Sequence, residues 1–280
     1  MSVKIIVDST VDMAENVKSQ VQIVPLTVCF GEEECIDGVT IDHKLFYEKL
    51  VESDVLPTTS QATPAAFDAV FAKIAEAGDS AVVLTISSHL SGTYQSATIA
   101  AEEYPQIYVV DSQSTTIGAG VLTELALELA QSGMPAADIA QRMKQERERV
   151  CVVAMLDTLE YLKKGGRISK TAAFAGALLS IKPVISLDHG EIKILGKARG
   201  SKQGNNLLVQ EIEKAGGVDF TKPLLLGYTG LSNVLLNKYM EDSAALWQSG
   251  IDSLPYVTVG SVVGTHAGPG AIAVAFFRKS

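Results

Sequence analysis

This sequence of 280 residues lacks several features, and each absence excludes a class of protein. No run approaches the roughly eighteen apolar residues of a membrane-spanning helix, so no stable membrane insertion is expected. Residues 1–8 lack the apolar stretch and cleavage site of a secretory signal, which predicts a cytoplasmic protein. The cysteines, Cys29, Cys35 and Cys151, form neither a CxxC pair nor a disulfide framework. The histidines are scattered without HExxH spacing, so we expect neither a metal site nor a cofactor.

The charge of the chain is acidic overall but unevenly distributed. A formal net charge of −9 argues against nucleic acid or an anionic membrane as the general partner. Residues 163–202 nevertheless contain nine Lys or Arg and two Asp or Glu, so this basic segment carries +7 and the remainder −16. It is either an ordinary solvated face or a docking surface for an acidic partner or a phosphate.

The first half of the chain alternates short β patterns with helical patterns. Apolar strands are predicted at Val3–Val7, Ala81–Ile86 and Ile107–Val110. Strands that alternate with helices indicate βαβ units, and therefore a mostly parallel sheet with flanking helices. This alternation of short strands and helices changes near residue 150. We therefore predict an α/β protein with an N-terminal α/β domain at 1–150 and a C-terminal α/β domain at 151–280.

In the second half, residues 188–190 (Asp-His-Gly) indicate a hairpin between two strands. A helix of small residues is predicted at Thr171–Leu179. Two final strands, Tyr256–Val263 and Ala271–Phe277, are expected to be joined by a glycine-rich turn at 264–270.

Hydroxyl-rich segments follow several predicted strands, where open α/β sheets bind their ligands. These segments are Asp8-Ser9-Thr10, Thr58-Thr59-Ser60, Ser87 to Thr93, and Asp111-Ser112. Ser91-Gly92-Thr93 is the best candidate for an anion site, because it precedes a helix whose first N–H groups are unpaired. The same hydroxyls are equally consistent with ordinary helix N-caps.

The remaining candidate is His266, in the predicted glycine-rich turn. It is either a structural residue of that turn or a hydrogen-bond donor to an anion. Known catalytic sequence motifs fit poorly. The chain has no GxSxG motif, which would carry the nucleophile of an α/β hydrolase, and no GxGxxG after a strand. The Gly196-Lys197 pair lacks both the spacing and the following hydroxyl residue of a phosphate-binding loop. No catalytic residue is therefore predicted.

The chain resembles the DegV family of fatty-acid-binding proteins, which serve bacterial fatty acid kinase. The resemblance rests on motifs that occur in family order along essentially the whole chain. They are Val7-Asp8-Ser9-Thr10, Thr59-Ser60-Gln61, Ser87-Ser88-x-Leu90-Ser91-Gly92-Thr93-Tyr94-Gln95-Ser96-Ala97, Val110-Asp111-Ser112, Leu162-Lys163-Lys164-Gly165-Gly166-Arg167-Ile168-Ser169, Lys182-Pro183, Gly196-Lys197-x-Arg199-Gly200 and Gly264-Thr265-His266-x-Gly268-Pro269-Gly270.

This resemblance implies a two-domain fold with a long-chain fatty acid, such as palmitate or oleate, between the domains. It implies that Thr59 and Ser91 hold the carboxylate and that His266 supports them. Arg167 and Arg199 would meet the partner, an ATP-dependent fatty acid kinase subunit, or the acyl phosphate. The protein would then be a lipid-binding subunit and not an enzyme. One departure is Ala62-Thr63-Pro64, where the family often has Pro-Ser after the glutamine.

Two alternatives stay open at this point. One is a small hydrolase or phosphotransferase that uses Ser91 with His266. The other is an adaptor that works through the basic segment. If the chain binds an acyl group, the small side chains of Ala172–Leu179 either line its channel or belong to ordinary core.

Overall fold

The computed structural model describes residues 2–53, 55–168, 181–247, 250–251 and 253–279. The predicted segments Thr171–Leu179 and Ala172–Leu179 lie outside the described residues. The strands, in chain order, are β1 (Val3–Asp8), β2 (Gln22–Val24), β3 (Thr27–Phe30), β4 (Glu33–Ile36), β5 (Thr58–Ser60), β6 (Ser80–Thr85), β7 (Ile107–Asp111), β8 (Val150–Met155), β9 (Ile181–Asp188), β10 (Glu191–Arg199), β11 (Leu225–Tyr228), β12 (Tyr256–Thr258) and β13 (Ile272–Phe277). The α-helices are α1 (Glu15–Lys18), α2 (His43–Glu52), α3 (Pro64–Glu76), α4 (Thr93–Ala101), α5 (Thr116–Gln131), α6 (Ala136–Glu146), α7 (Glu160–Lys164), α8 (Gly200–Lys214), α9 (Val234–Asp242), α10 (Ala244–Trp247) and α11 (Ser261–Ala267).

The first half forms the predicted parallel sheet, with strand order β2-β1-β6-β7. Both faces of this sheet are covered, which explains why β6 is apolar at successive positions. Val82 and Leu84 belong to the core that includes α5 and α6. Ala81 and Val83 belong to the core that includes α3 and α4. Alternate side chains of one strand therefore anchor helices on opposite faces.

The second half forms a six-stranded mixed sheet in the order β10-β9-β8-β13-β11-β12. The hairpin predicted at residues 188–190 is confirmed, because β9 and β10 pair antiparallel on either side of it. The central strand β13 runs antiparallel to both neighbours, and only β11 and β12 pair in parallel. Helices α8 and α9 cover the outer face of this sheet through Leu208 and Leu236.

Helix α5 joins the two sheets, because it contacts β1 and β6 of the first and β8, β11 and β13 of the second. Its first eight residues are all buried. The core around it includes Val7 and Leu84 of the first sheet as well as Ala154 and Ala273 of the second. All strands of the larger sheet come from residues after 149, and the division into two domains at residue 150 remains a prediction.

Two expectations about site segments were wrong. Thr58–Ser60 is not a loop after a parallel strand but is itself a strand, β5, which pairs antiparallel with β3 in a small sheet of order β4-β3-β5. The stretch predicted as one strand from Tyr256 to Val263 ends as a strand at Thr258, and residues 261–267 form helix α11. His266 therefore lies in the last turn of a helix and not in a glycine-rich turn between strands.

The physical reason for the helix at residues 261–267 is its packing on α2. A methyl group on Gly264 would come within 2.6 Å of the Tyr47 hydroxyl oxygen, so glycine permits this close approach. The Tyr47 hydroxyl also donates to the carbonyl of Val259, 3.0 Å away, just before the helix begins. These tertiary contacts override the β propensity of the valines in this stretch.

Candidate functional site

A cavity of about 400 Å³ lies between the inner face of the larger sheet and the first half of the chain. Most of its lining is apolar. The apolar side chains from the larger sheet include those of Val152, Ala154, Ile185, Leu187, Ile192 and Ala273. Alanine at two central strand positions leaves free volume where larger side chains would close the core. Such an apolar slot suits a hydrocarbon group.

A polar cluster forms one part of the cavity lining, and it contains the residues that the sequence singled out. Thr59 comes from β5, Ser91 from the loop before α4, and His266 from α11. The hydroxyl oxygen of Thr59 lies 2.9 Å from Nε2 of His266, across 207 residues of sequence. The fold therefore brings these three predicted residues to one place, which we call the polar mouth.

The loop before α4 presents the Ser91 hydroxyl. Its Oγ lies 2.9 Å from Oγ1 of Thr93, and the Ser91 backbone N–H donates to the carbonyl of Ser87. Thr93 is buried and lies outside the cavity lining, so it holds Ser91 in place from behind. Gly92 does line the cavity, and a side chain there would overlap the amide of Gln61.

His266 is neutral at physiological pH. Burial lowers its pKa to about 4, and the nearby positive charge of Arg167 acts in the same direction. If the proton is on Nε2, the ring donates to the Thr59 oxygen, and the Thr59 hydroxyl is free to donate to an anion. Within the described residues, the buried Nδ1 has no hydrogen-bond partner. The backbone of Gly165 packs against that edge of the ring, where a methyl group would overlap it.

Arg167 supplies the positive charge beside the polar mouth. Its Nε donates to the carbonyl of Leu90 at 3.1 Å, and its Nη1 donates to the carbonyl of Gly165 at 2.7 Å. The guanidinium thus ties the loop that carries Ser91 to the backbone that supports His266. Arg199 lies elsewhere, exposed at the end of β10, and it does not line the cavity.

A second cavity, of about 470 Å³, adjoins the polar mouth; we call it the outer vestibule. Thr59, Arg167 and His266 line both cavities. Sequence reasoning missed this vestibule, because its other walls combine α7 with the segment before β5. No pattern in the sequence brings those two segments together.

The start of helix α11 is fixed by a buried carboxylate. Asp12 accepts from the backbone N–H of Gly260 at 2.9 Å and from the hydroxyl of Thr116 at 2.6 Å. Burial raises the pKa of Asp12 to about 7, and these two donors oppose the rise. Sequence reasoning treated the segment before Asp12 only as a hydroxyl-rich strand end.

The geometry of the polar mouth favours binding over the alternative of a Ser–His catalytic pair. The Ser91 hydroxyl contacts Thr93, whereas the imidazole of His266 contacts Thr59. Nδ1 of His266 meets no carboxylate of the described residues, so the carboxylate that orients the histidine of a hydrolase triad is not found among them. Across the same residues, no group of three or more His, Cys, Asp or Glu is arranged to hold a metal ion.

An α/β scaffold with a mostly apolar cavity and a polar mouth is the arrangement expected of a protein class that binds amphipathic small molecules. None of the helices in the described ranges is long and apolar enough to cross a membrane. Residues 2–279 match the family model described as "Uncharacterised protein, DegV family", and the chain belongs to the DegV family. A DegV domain-containing protein of Caldanaerobacter subterraneus subsp. tengcongensis is 31% identical over 283 residues, which cover 99% of each chain.

Solved structures of the family have the same fold. A DegV family protein from Thermus thermophilus, described as binding fatty acid, is 30% identical over 100% of both chains with a TM-score of 0.89. A stearic-acid-binding protein from Eubacterium ventriosum is 29% identical, covers 100% of this chain and 99% of its own, and has a TM-score of 0.87. The predicted α/β fold and family are therefore confirmed, and solved members of the family bind fatty acids.

Proposed function

We propose that this protein binds one long-chain fatty acid, such as palmitate or oleate. The acyl chain occupies the apolar cavity, and the carboxylate is held by Thr59 and Ser91 with His266 in support. The observation that carries this proposal is the position of the polar mouth at a mostly apolar cavity. The fatty acids bound by solved family members support it further.

The energetics suit this ligand. Burying about fifteen methylenes at roughly 0.8 kcal/mol each gives a gross driving force on the order of 12 kcal/mol. The carboxylate costs several kcal/mol to desolvate unless it accepts hydrogen bonds. The polar mouth offers the hydroxyls of Thr59 and Ser91, with the charge of Arg167 nearby. The tail therefore supplies affinity, and the mouth fixes the end of the ligand.

We further propose that the protein is a binding subunit that presents the carboxylate to a separate ATP-dependent fatty acid kinase. In that reaction a carboxylate oxygen attacks the γ-phosphorus of ATP, the bond from that phosphorus to the bridging oxygen of ADP breaks, and acyl phosphate for phospholipid synthesis results. Arg167 beside the mouth and the exposed Arg199 are the residues proposed to meet the kinase or the acyl phosphate. The basic segment 163–202, with its charge of +7, suits an acidic partner surface.

The lipid assignment is tested by denaturing the purified protein, extracting it with organic solvent and identifying the lipid by mass spectrometry. About one fatty acid per chain is expected. A protein that releases no lipid, and that after purification takes up neither palmitate nor oleate, contradicts the proposal. Acyl phosphate formation is then measured with ATP and a fatty acid kinase, with and without this protein.

A further inference from the structure

Gln61 connects the two segments that carry the hydroxyls of the polar mouth. Thr59 lies on β5, two residues before Gln61, and Ser91 lies in the loop before α4. The side-chain amide of Gln61 crosses from the first segment to the second, where its Nε2 donates to Oγ of Ser96 at 2.9 Å. Ser96 is buried in the first turn of α4, so this end of the bridge is fixed.

The backbone of Gly92 lies directly against the same amide. A methyl group on Gly92 would overlap Oε1 of Gln61. The φ of Gly92 is −74°, within the range of residues that have side chains, so the backbone conformation does not require glycine here. Glycine is required because the amide occupies the space that a side chain would fill. The N–H of Ser96 donates to the carbonyl of Gly92 at 3.0 Å, so the amide of Gln61 contacts both partners of this helical hydrogen bond.

The bridge matters because strand pairing does not set the distance between its two ends. β5 belongs to the small sheet with β3, whereas α4 covers the parallel sheet. The hydroxyls of Thr59 and Ser91 are both proposed to donate to one carboxylate, and such bonds weaken steeply outside about 2.5–3.0 Å or at poor angles. Ligand groups of this kind need supporting hydrogen bonds that hold them to within about 0.5 Å.

From these contacts we propose that Gln61 is a positioning residue of the polar mouth. Its amide sets the spacing between the Thr59 and Ser91 hydroxyls through the hydrogen bond to Ser96. This inference rests on the proposed function, because it requires a carboxylate at the mouth. Gln61 acts through the two hydroxyls, so its removal should affect recognition of the head group and leave burial of the tail unchanged.

The test compares palmitate with hexadecanol, which has the same chain length but no charge. In delipidated Gln61→Met the side chain keeps nearly the same length but cannot donate to Ser96. Loss of this hydrogen bond is expected to weaken palmitate binding about fivefold and hexadecanol binding less than about twofold. Ser96→Ala removes the other partner and is expected to produce the same change. The double variant is expected to lose no more than either single variant, because all three lack the same bond.

Gln95→Met is the matched control, since Gln95 is the exposed neighbour of Ser96 on α4 and does not line the cavity. It is expected to bind both ligands as the wild type does, and denaturant unfolding establishes that each variant is folded.

Palmitate affinity within about twofold of wild type in folded Gln61→Met would overturn the inference. A loss in Gln61→Met without a loss in Ser96→Ala would also overturn it, because Gln61 would then contact the carboxylate itself. Equal losses of palmitate and hexadecanol would indicate a disturbed cavity, with the same consequence. If the wild type binds no palmitate, the proposed function fails and this inference fails with it.

Discussion

Removing the hydroxyl of Thr59 is the most direct test of carboxylate binding at the polar mouth. Thr59→Val keeps the branched shape that β5 requires and removes only the hydroxyl. That hydroxyl contacts Nε2 of His266 at 2.9 Å and faces the cavity where the carboxylate is proposed to lie. A hydrogen bond to a charged group contributes about 1.5–3 kcal/mol, so the dissociation constant for palmitate should rise roughly 10- to 150-fold.

The assay is a titration of delipidated protein with palmitate and, separately, with hexadecanol. The alcohol has the same chain but no charge, so its affinity should fall much less than that of palmitate. Denaturant unfolding of both proteins establishes that the variant keeps its stability. The comparison therefore separates recognition of the head group from burial of the tail.

Thr58→Val is the matched control for this experiment. Thr58 is the neighbouring residue of the same strand and is exposed. It lines the outer vestibule but not the apolar cavity. The control should bind palmitate as the wild type does. Palmitate affinity within about twofold of wild type in Thr59→Val, with a folded protein, would refute the assignment of Thr59 to the carboxylate.

Three further predictions concern the surroundings of the mouth. Gly165→Ala suits the local φ of −74° but places a methyl group against the ring of His266. The ring should therefore lose its contact with Thr59, and titration of the folded variant should show palmitate affinity about tenfold lower. The pKa of His266 is about 4 when folded and near 6.5 when unfolded, so the unfolded chain binds the extra proton and stability is lost as pH falls from 6.5 to 4. This loss is about 3 kcal/mol. The free energy of unfolding of delipidated His266→Gln, measured in denaturant, should therefore depend less on pH in that window. A pH dependence equal to that of the wild type would contradict the burial of a neutral ring. Ala154→Leu fills part of the apolar cavity. Since each excluded methylene costs about 0.8 kcal/mol, long fatty acids should lose affinity while shorter ones keep it. Equal losses at all chain lengths would contradict the position of Ala154 in the cavity lining.

The parallel sheet was predictable from the sequence, because its signal is local. Four successive apolar residues of β6 are buried on both faces, and such a run is typical of a covered parallel strand. The hairpin between β9 and β10 was predictable for the same reason. Its turn requires positive φ, and His189 (+46°) and Gly190 (+85°) provide it.

The strand β5 and the helix α11 were not predictable from local pattern. β5 has three residues and exists only because β3 offers its edge for pairing. The segment around Val262 combines β-branched residues with glycine, and its β-branched residues predict a strand. It is a helix because α2 contacts it at Gly264 and because Asp12 accepts from the N–H of Gly260.

The sequence by itself determined the α/β class, the family, and the residue types of the polar mouth, since motifs and hydrophobic periodicity are properties of neighbouring residues. Only the tertiary structure decided that Thr59 contacts His266, that Thr93 stands behind Ser91, and that Arg199 lies away from the cavity. The physical reason is that a site of this kind is made by contacts between segments up to about two hundred residues apart. Such contacts depend on the packing of whole sheets and helices, which no short pattern encodes.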